Sequence, residues 1–185
     1  MRIQICPRQD VLSRIEVWRP DAVISIMDPK SRDEMDGLLS GSQVPVVAFA
    51  FLDLAPPIIS SDMPHPKHVA ELCDRIGTLR RDGRTKFLFH CHAGLSRSPA
   101  MAIAALAFEH SRILGRDVDE AAAEAIVKEV LSAEELSMPN RKILSDIEIV
   151  LPEWTGILDR TVQRVILEEQ GRGIVLFPSD EMPDY

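Results

Sequence analysis

Long apolar runs and cysteines are both scarce in this sequence of 185 residues. No stretch approaches the roughly 20 apolar residues that a membrane-spanning helix needs, and the opening residues, MRIQICP, lack the apolar core of a secretory signal. Only three cysteines occur, so at least one thiol has no disulfide partner. We therefore expect a protein without membrane segments that works in a reducing, cytoplasmic compartment.

Positive charge is also in short supply. Lys and Arg total 21 against 29 Asp and Glu, a formal net charge of −8. This balance disfavours a general nucleic-acid binder, because phosphate backbones are repelled at long range. A small basic pocket for one anionic group remains compatible with an acidic surface. The length and the 45% hydrophobic content predict one globular domain over 1–170, followed by an acidic, proline-containing arm over 171–185.

In the first half of the chain, short apolar runs rich in β-branched residues alternate with helical patterns. The helical periodicity covers Pro66–Arg81 and 7–18, and in the latter Val11, Leu12, Ile15 and Trp18 fall on one face. This alternation predicts an α/β fold with a central, mostly parallel sheet flanked by helices. The predicted strands cover 3–6, 22–27, 44–51 and 86–90.

The C-terminal half is predicted to be almost wholly helical. The segment 99–110 is apolar nearly all round, and such a helix is normally buried on every side. Three amphipathic segments follow it, at 119–131, 140–151 and 155–170.

The segment FLFHCHAGLSRSP carries the chemistry. Its apolar strand leads into a loop from Cys91 to Arg97, and a helix is predicted directly afterwards, with Ser98 as its cap and Pro99 at its first position. The N–H groups of such a loop converge at the positive end of the helix, which is a geometry that binds a phosphate-sized dianion. The sequence therefore predicts an anion cradle with a thiol at its base.

The polar side chains of this loop suit phosphoryl transfer. The amides stabilise Cys91 as a thiolate, which attacks phosphorus to give a phosphocysteine that water later hydrolyses. Arg97 offers a planar fork of donors to two phosphoryl oxygens. Ser98 is expected to donate its hydroxyl to the sulfur, and His90 to support the loop from beneath by hydrogen bonding. Gly94 permits a backbone conformation that a side chain would obstruct. The predicted phosphate-binding residues are His92, Ala93, Gly94, Leu95, Ser96 and Arg97.

The pattern His-Cys-x5-Arg-Ser resembles the signature of the cysteine-dependent protein tyrosine phosphatases, and it is most similar to their compact dual-specificity and bacterial branches. The resemblance implies a fold of the phosphotyrosine protein phosphatase II type, a phosphocysteine mechanism, and no metal or cofactor. It also implies a phosphorylated protein or a small phosphoester as substrate. The signature covers 87–99, and the order of strands and helices agrees with it over 1–150.

The first step also needs a general acid for the leaving oxygen. In the family this is an Asp on a loop upstream of the nucleophile, and FLDLAPP is similar to the Asp-x-x-Pro-Pro loop of relatives, which makes Asp53 the first candidate. Asp53 follows a strong strand, which places it at the carboxyl edge of the sheet. Asp62 is the alternative. The two lie 38 and 29 residues before Cys91, and the choice stays open at this point.

Loop composition also bears on the substrate. The loop holds no Lys or Arg before Arg97, whereas relatives that act on inositol phosphates tend to carry extra basic residues there. A singly phosphorylated group is therefore expected, with phosphotyrosine first and a non-protein phosphoester as the alternative. Two other classes remain open: a rhodanese-like sulfurtransferase, whose loop is generally smaller, and a non-catalytic phosphate-binding module.

Overall fold

The structure is a computed structural model that describes residues 1–58, 60–133 and 137–170. The predicted arm over 171–185 lies outside the described residues, and the single domain over 1–170 stays a prediction. Within the described ranges, no helix is both long enough and apolar enough to cross a membrane.

Four parallel strands form the centre of the fold, which confirms the predicted sheet. Their order across the sheet is β1-β4-β2-β3. Because all the pairings are parallel, every strand ends at the same edge. All six residues of β2 are buried, as is typical of a central parallel strand covered on both faces. The strands are β1 (Arg2–Pro7), β2 (Ala22–Met27), β3 (Val46–Ala50) and β4 (Lys86–Cys91).

Helices cover both faces of this sheet. Short 3-10 turns occur at Arg8–Asp10, Pro29–Ser31 and Pro152–Trp154, and a π-helical turn at Glu109–Ile113. The α-helices of the described residues are α1 (Val11–Trp18), α2 (Arg32–Leu39), α3 (Pro66–Arg81), α4 (Arg97–Phe108), α5 (Glu120–Leu131), α6 (Arg141–Val150) and α7 (Leu158–Gln170).

Alternation along the central strands divides the core in two, because successive side chains of a strand point to opposite faces. One face packs against α1 and α2, and the other against the helices from α3 onwards. The smaller cluster is built from Cys6, Val11, Val23, Met27, Met35, Leu39 and Leu88. The larger one includes Ile24, Ile26, Phe87 and Phe89 from the strands, together with the buried faces of the later helices.

Helix α4 lies in the middle of the larger cluster. Its first eleven residues are all buried, which confirms the prediction from its uniformly apolar sequence. It contacts α3, α5 and α6 as well as β4. The first turn of this helix also carries the site, so the functional loop is held by a helix that is buried along nearly its whole length.

The boundaries of two helices differ from prediction. Helix α4 begins at Arg97, so Ser98 lies within the first turn and does not cap the helix as expected. The helix therefore begins two residues before the predicted start at 99. Its first turn forms at the end of the signature loop, Cys91–Arg97, because Ala100 donates its N–H to the carbonyl of Ser96. Helix α7 begins at Leu158, since Gly156 has a left-handed φ of 70° that interrupts the helix predicted from residue 155.

The prediction was incomplete for α2 and wrong for one residue of α1, the two helices that pack against the smaller cluster. Helix α2 was not predicted. Among its described side chains Met35 and Leu39 are buried, and two apolar positions make a weak periodic signal. Leu12 was expected on the packed face of α1 but is 40% exposed, whereas Val11 is fully buried.

Candidate active site

Strand β4 ends on the predicted nucleophile. Cys91 is its last residue, and the sulfur accepts two hydrogen bonds at the base of the loop. Gly94 donates its backbone N–H to Sγ at 3.3 Å, and Ser98 donates its hydroxyl to the same atom at 3.2 Å. Both donors point at the sulfur, which acts as the acceptor of the two bonds. The placement of Ser98 inside the helix, which removes it as a cap, is what turns its hydroxyl toward Cys91.

Three carbonyls of the loop are bound from outside. Because C=O and N–H of a trans peptide point in opposite directions, the following N–H groups point away from these anchors and toward the inside of the loop. This arrangement turns the backbone into a set of donors for an anion. The bonds run from Arg8 N to His92 O at 3.1 Å, from Met138 N to Leu95 O at 2.7 Å and from Asn140 N to Ser96 O at 3.1 Å.

The loop has no room for a side chain at Gly94, as expected. Its φ is 79°, in the left-handed region that favours glycine. A Cβ at this position would lie 2.9 Å from the backbone of both Cys6 and Pro7. The loop therefore packs directly on the end of β1, which neighbours β4 in the sheet.

Arg97 is 3% exposed, and its donors are divided between the fold and the cleft. Its Nη1 binds Asp28 Oδ1 at 2.6 Å and the carbonyl of Phe51 at 2.8 Å. Its Nε is buried, lies 3.7 Å from Asp53 Oδ2 and has no hydrogen-bond partner among the described residues. An unsatisfied buried donor costs about 1–3 kcal/mol, and an oxyanion in the cleft would relieve that cost.

Asp53 lies beside this arginine, three residues after the end of β3. Its Oδ1 accepts the hydroxyl of Ser96 at 2.7 Å and the side-chain amide of Asn140 at 2.8 Å. Its Oδ2 is the oxygen nearer to Arg97, and the side chain is 37% exposed. The structure thus brings the first acid candidate into the same cleft as Cys91.

Asp62, the alternative acid, is placed differently. It is exposed, and it is absent from the side chains that line the cleft. Its backbone carbonyl accepts the N–H of Leu52 at 2.7 Å. Asp62 therefore supports the loop that carries Asp53 through its main chain rather than through its carboxylate.

The cleft has a volume of about 490 Å³. His92 and Ala93 are exposed at its outer turn, and Leu95 and Ser96 are half-buried. Among the described residues that line it, Arg97 is the only Lys or Arg, and two carboxylates face it. Its lining consists of Asp28, Leu52, Asp53, Leu54, Cys91, His92, Ala93, Leu95, Ser96 and Arg97.

Support of the loop by hydrogen bonds from His90 stays a prediction, because the described residues show only an interaction of its ring with the backbone of Cys91. The ring is fully buried, and neither nitrogen makes a hydrogen bond of regular geometry within the described part of the chain. Burial, aided by the positive charge of Arg8, lowers the pKa of His90 to about 4, although the backbone of Cys91 acts in the opposite direction. His90 lies between Cys6 of β1 and Ser25 of β2, so sheet pairing and packing hold it in place.

Sequence reasoning missed two residues of this site. Asp28 directly follows β2, and the rule that placed Asp53 at the carboxyl edge of the sheet applies equally to it. Asn140 was recognised only as the start of α6. Nothing local to Asn140 indicates that its amide reaches a carboxylate 87 residues away.

Solved structures that match this one include protein tyrosine and dual-specificity phosphatases, and the chain has the fold of that superfamily. No family model and no curated protein matches the sequence itself. Human DUSP28 is 16% identical, with 90% of this chain and 94% of that chain covered and a TM-score of 0.52. The PTP-2 phosphatase of Cydia pomonella is 16% identical, with coverages of 80% and 84% and a TM-score of 0.57. DUSP15 is 18% identical, with coverages of 91% and 91% and a TM-score of 0.53.

Proposed function

We propose that this protein is a cysteine-dependent phosphatase that hydrolyses phosphoric monoesters through a phosphocysteine intermediate. One observation carries the proposal: a sulfur with two hydrogen-bond donors shares a cleft with a buried guanidinium whose Nε makes no hydrogen bond to the described residues. The donors favour the nucleophilic thiolate, and the free guanidinium donor suits a phosphoryl oxygen.

In the first step, the thiolate of Cys91 attacks phosphorus and the bond to the leaving oxygen breaks. Asp53 gives its proton to that oxygen as the bond breaks, so the leaving group departs as a neutral alcohol or phenol. Since Oδ1 already accepts two hydrogen bonds, Oδ2 carries the proton. Arg97 and the loop amides hold the equatorial oxygens throughout.

In the second step, water attacks the phosphocysteine. Asp53, now ionised, takes a proton from that water, and the sulfur–phosphorus bond breaks to release inorganic phosphate. The hydroxyl of Ser98, 3.2 Å from the sulfur, stabilises the thiolate as it leaves. The cycle ends with Cys91 ionised and ready for the next substrate.

The charges of the cleft favour a singly phosphorylated substrate. Arg97 is the only Lys or Arg among its described lining residues, and Asp28 and Asp53 would repel further phosphates. Phosphotyrosine in a protein is therefore the proposed substrate, with the wider dual-specificity range next. A reducing cytoplasmic compartment suits a reactive thiolate of this kind.

The test is phosphate release from p-nitrophenyl phosphate by the wild type, C91S and C73S. C91S is expected to be inactive, because a serine hydroxyl is not ionised at neutral pH. Burial raises the pKa of Cys73 to about 12, and Cys73 does not line the cleft, so C73S is the matched control and should keep its activity. Turnover by C91S would overturn the proposal. Thiosulfate-dependent sulfur transfer by the wild type would point to a sulfurtransferase instead.

A further inference from the structure

Asn140 joins three parts of the molecule at the cleft. It is 6% exposed and directly precedes α6. Its backbone N–H binds the signature loop, its side-chain amide binds the loop that carries Asp53, and its side-chain oxygen caps α6. The bonds are N to Ser96 O at 3.1 Å, Nδ2 to Asp53 Oδ1 at 2.8 Å, Nδ2 to Leu54 O at 3.1 Å, and Oδ1 from Ile143 N at 3.1 Å.

The orientation of this amide follows from its partners. Nδ2 faces two acceptors and Oδ1 faces a backbone N–H, so only this orientation pairs every donor with an acceptor. Capping a helix needs only the side-chain oxygen, and Asp119 caps α5 in that way through Ala122 N at 2.7 Å. Among the common cap residues, Asn alone also carries two donors on its side chain. Asn140 uses these donors to bind Asp53 and Leu54, in the loop that carries the acid and is called the acid loop below.

We propose that Asn140 is a positioning residue for proton transfer by Asp53. Together with the hydroxyl of Ser96, its amide occupies Oδ1 and leaves Oδ2 to carry the proton toward the leaving oxygen. Because its backbone N–H binds Ser96 O while its side chain binds Asp53 and Leu54, Asn140 links the loop that carries Asp53 to the signature loop. This link fixes the distance between the acid and the nucleophile. This inference rests on the proposed phosphatase activity and adds a determinant of its first step.

The test compares two aryl phosphates that differ in their need for an acid. N140S keeps a side-chain oxygen that caps a helix, but it lacks an amide that reaches Asp53. We expect kcat/KM for phenyl phosphate to fall about tenfold, which is part of the roughly 10²–10⁴-fold that a general acid contributes. For p-nitrophenyl phosphate, whose leaving group needs little protonation, kcat/KM should stay within about twofold by the same reasoning.

Controls separate positioning from folding. D119S makes the matched change at the cap of α5, away from the cleft, and should leave both rates unchanged. In a D53N background, N140S should cost nothing further on phenyl phosphate, because the group it positions is gone. N140D keeps the cap but sets an oxygen against Asp53 Oδ1, so it should lose the phenyl phosphate reaction as N140S does.

The outcomes distinguish this inference from the proposed function. Equal losses on the two substrates, no loss on either, or a loss that persists in D53N would overturn the role of Asn140 while the phosphatase activity stands. A wild type that releases no phosphate from any aryl ester would overturn the proposed function and this inference with it. Thermal unfolding of each variant checks that it is folded at the assay temperature.

Discussion

At the scale of single residues, Arg97 shows how one side chain serves both the fold and the ligand. Asp28 and the carbonyl of Phe51 hold its Nη1, which fixes the plane of the guanidinium before any substrate arrives. Its Nε makes no hydrogen bond among the described residues and lies 3.7 Å from Asp53 Oδ2. A preorganised donor of this kind favours the transition state, because no reorientation is needed during the reaction.

One pair of variants, D53N and D62N, tests which of the two aspartates is the general acid. D53N should lower kcat/KM for phenyl phosphate about 100-fold and for p-nitrophenyl phosphate only a few-fold, since the acid matters most for a poor leaving group. D62N should leave both values unchanged, because Asp62 meets the acid loop through its backbone carbonyl. A leaving-group-dependent loss in D62N, with D53N unaffected, would transfer the role to Asp62.

At the scale of elements, an ion pair whose carboxylate is buried and whose guanidinium is half-buried joins the end of α4 to α3. Arg80 donates from Nε to Glu109 Oε2 at 2.9 Å and from Nη2 to Oε1 at 3.0 Å. Glu109 is the first residue of the π-helical turn and is 4% exposed. Because a buried ion without its partner is unfavourable, this pair holds the two helices together where the regular helix ends.

We expect E109Q to lower the free energy of unfolding by about 2–3 kcal/mol, because it leaves the Arg80 guanidinium without its carboxylate. Arg112 and Glu153 form a geometrically similar pair, with contacts of 2.7 and 2.8 Å, but Arg112 is exposed. E153Q is therefore the matched control and should change stability little. Urea unfolding followed by circular dichroism measures both, and equal shifts in the two variants would contradict the role given to burial.

At the scale of the whole molecule, the sheet is covered on both faces and has a titratable ring at its centre. His90 lies in β4, between β1 and β2, directly before Cys91. Its pKa of about 4 keeps the ring neutral in the folded protein at neutral pH. Protonation of this buried ring would place a charge in the core, and folding must oppose it.

Stability is accordingly expected to fall as the pH drops from about 6.5 toward 4. The unfolded chain binds a proton at His90 near pH 6.5 and the folded chain only near 4, so acid favours unfolding in that window by about 3 kcal/mol. H90Q should flatten this dependence, whereas the exposed His92 offers the matched control H92Q. Burial also lowers the pKa of His68 to about 4, so part of the pH dependence of stability should remain in H90Q. Parallel pH profiles for the wild type and H90Q would refute the assignment.

The sequence by itself determined the strands, helix α3, the buried α4 and the signature loop. Each carries a local signal: a β-branched run, a helical period, or a set of residues at fixed spacing around Cys91. The tertiary structure decided the strand order, the choice of Asp53 over Asp62 as the residue in the cleft, and the parts played by Asp28 and Asn140. Asp28 meets Arg97 across 69 residues and Asn140 meets Asp53 across 87. Contacts at such separations leave no periodic or local pattern, because only the packing of whole elements brings the partners together.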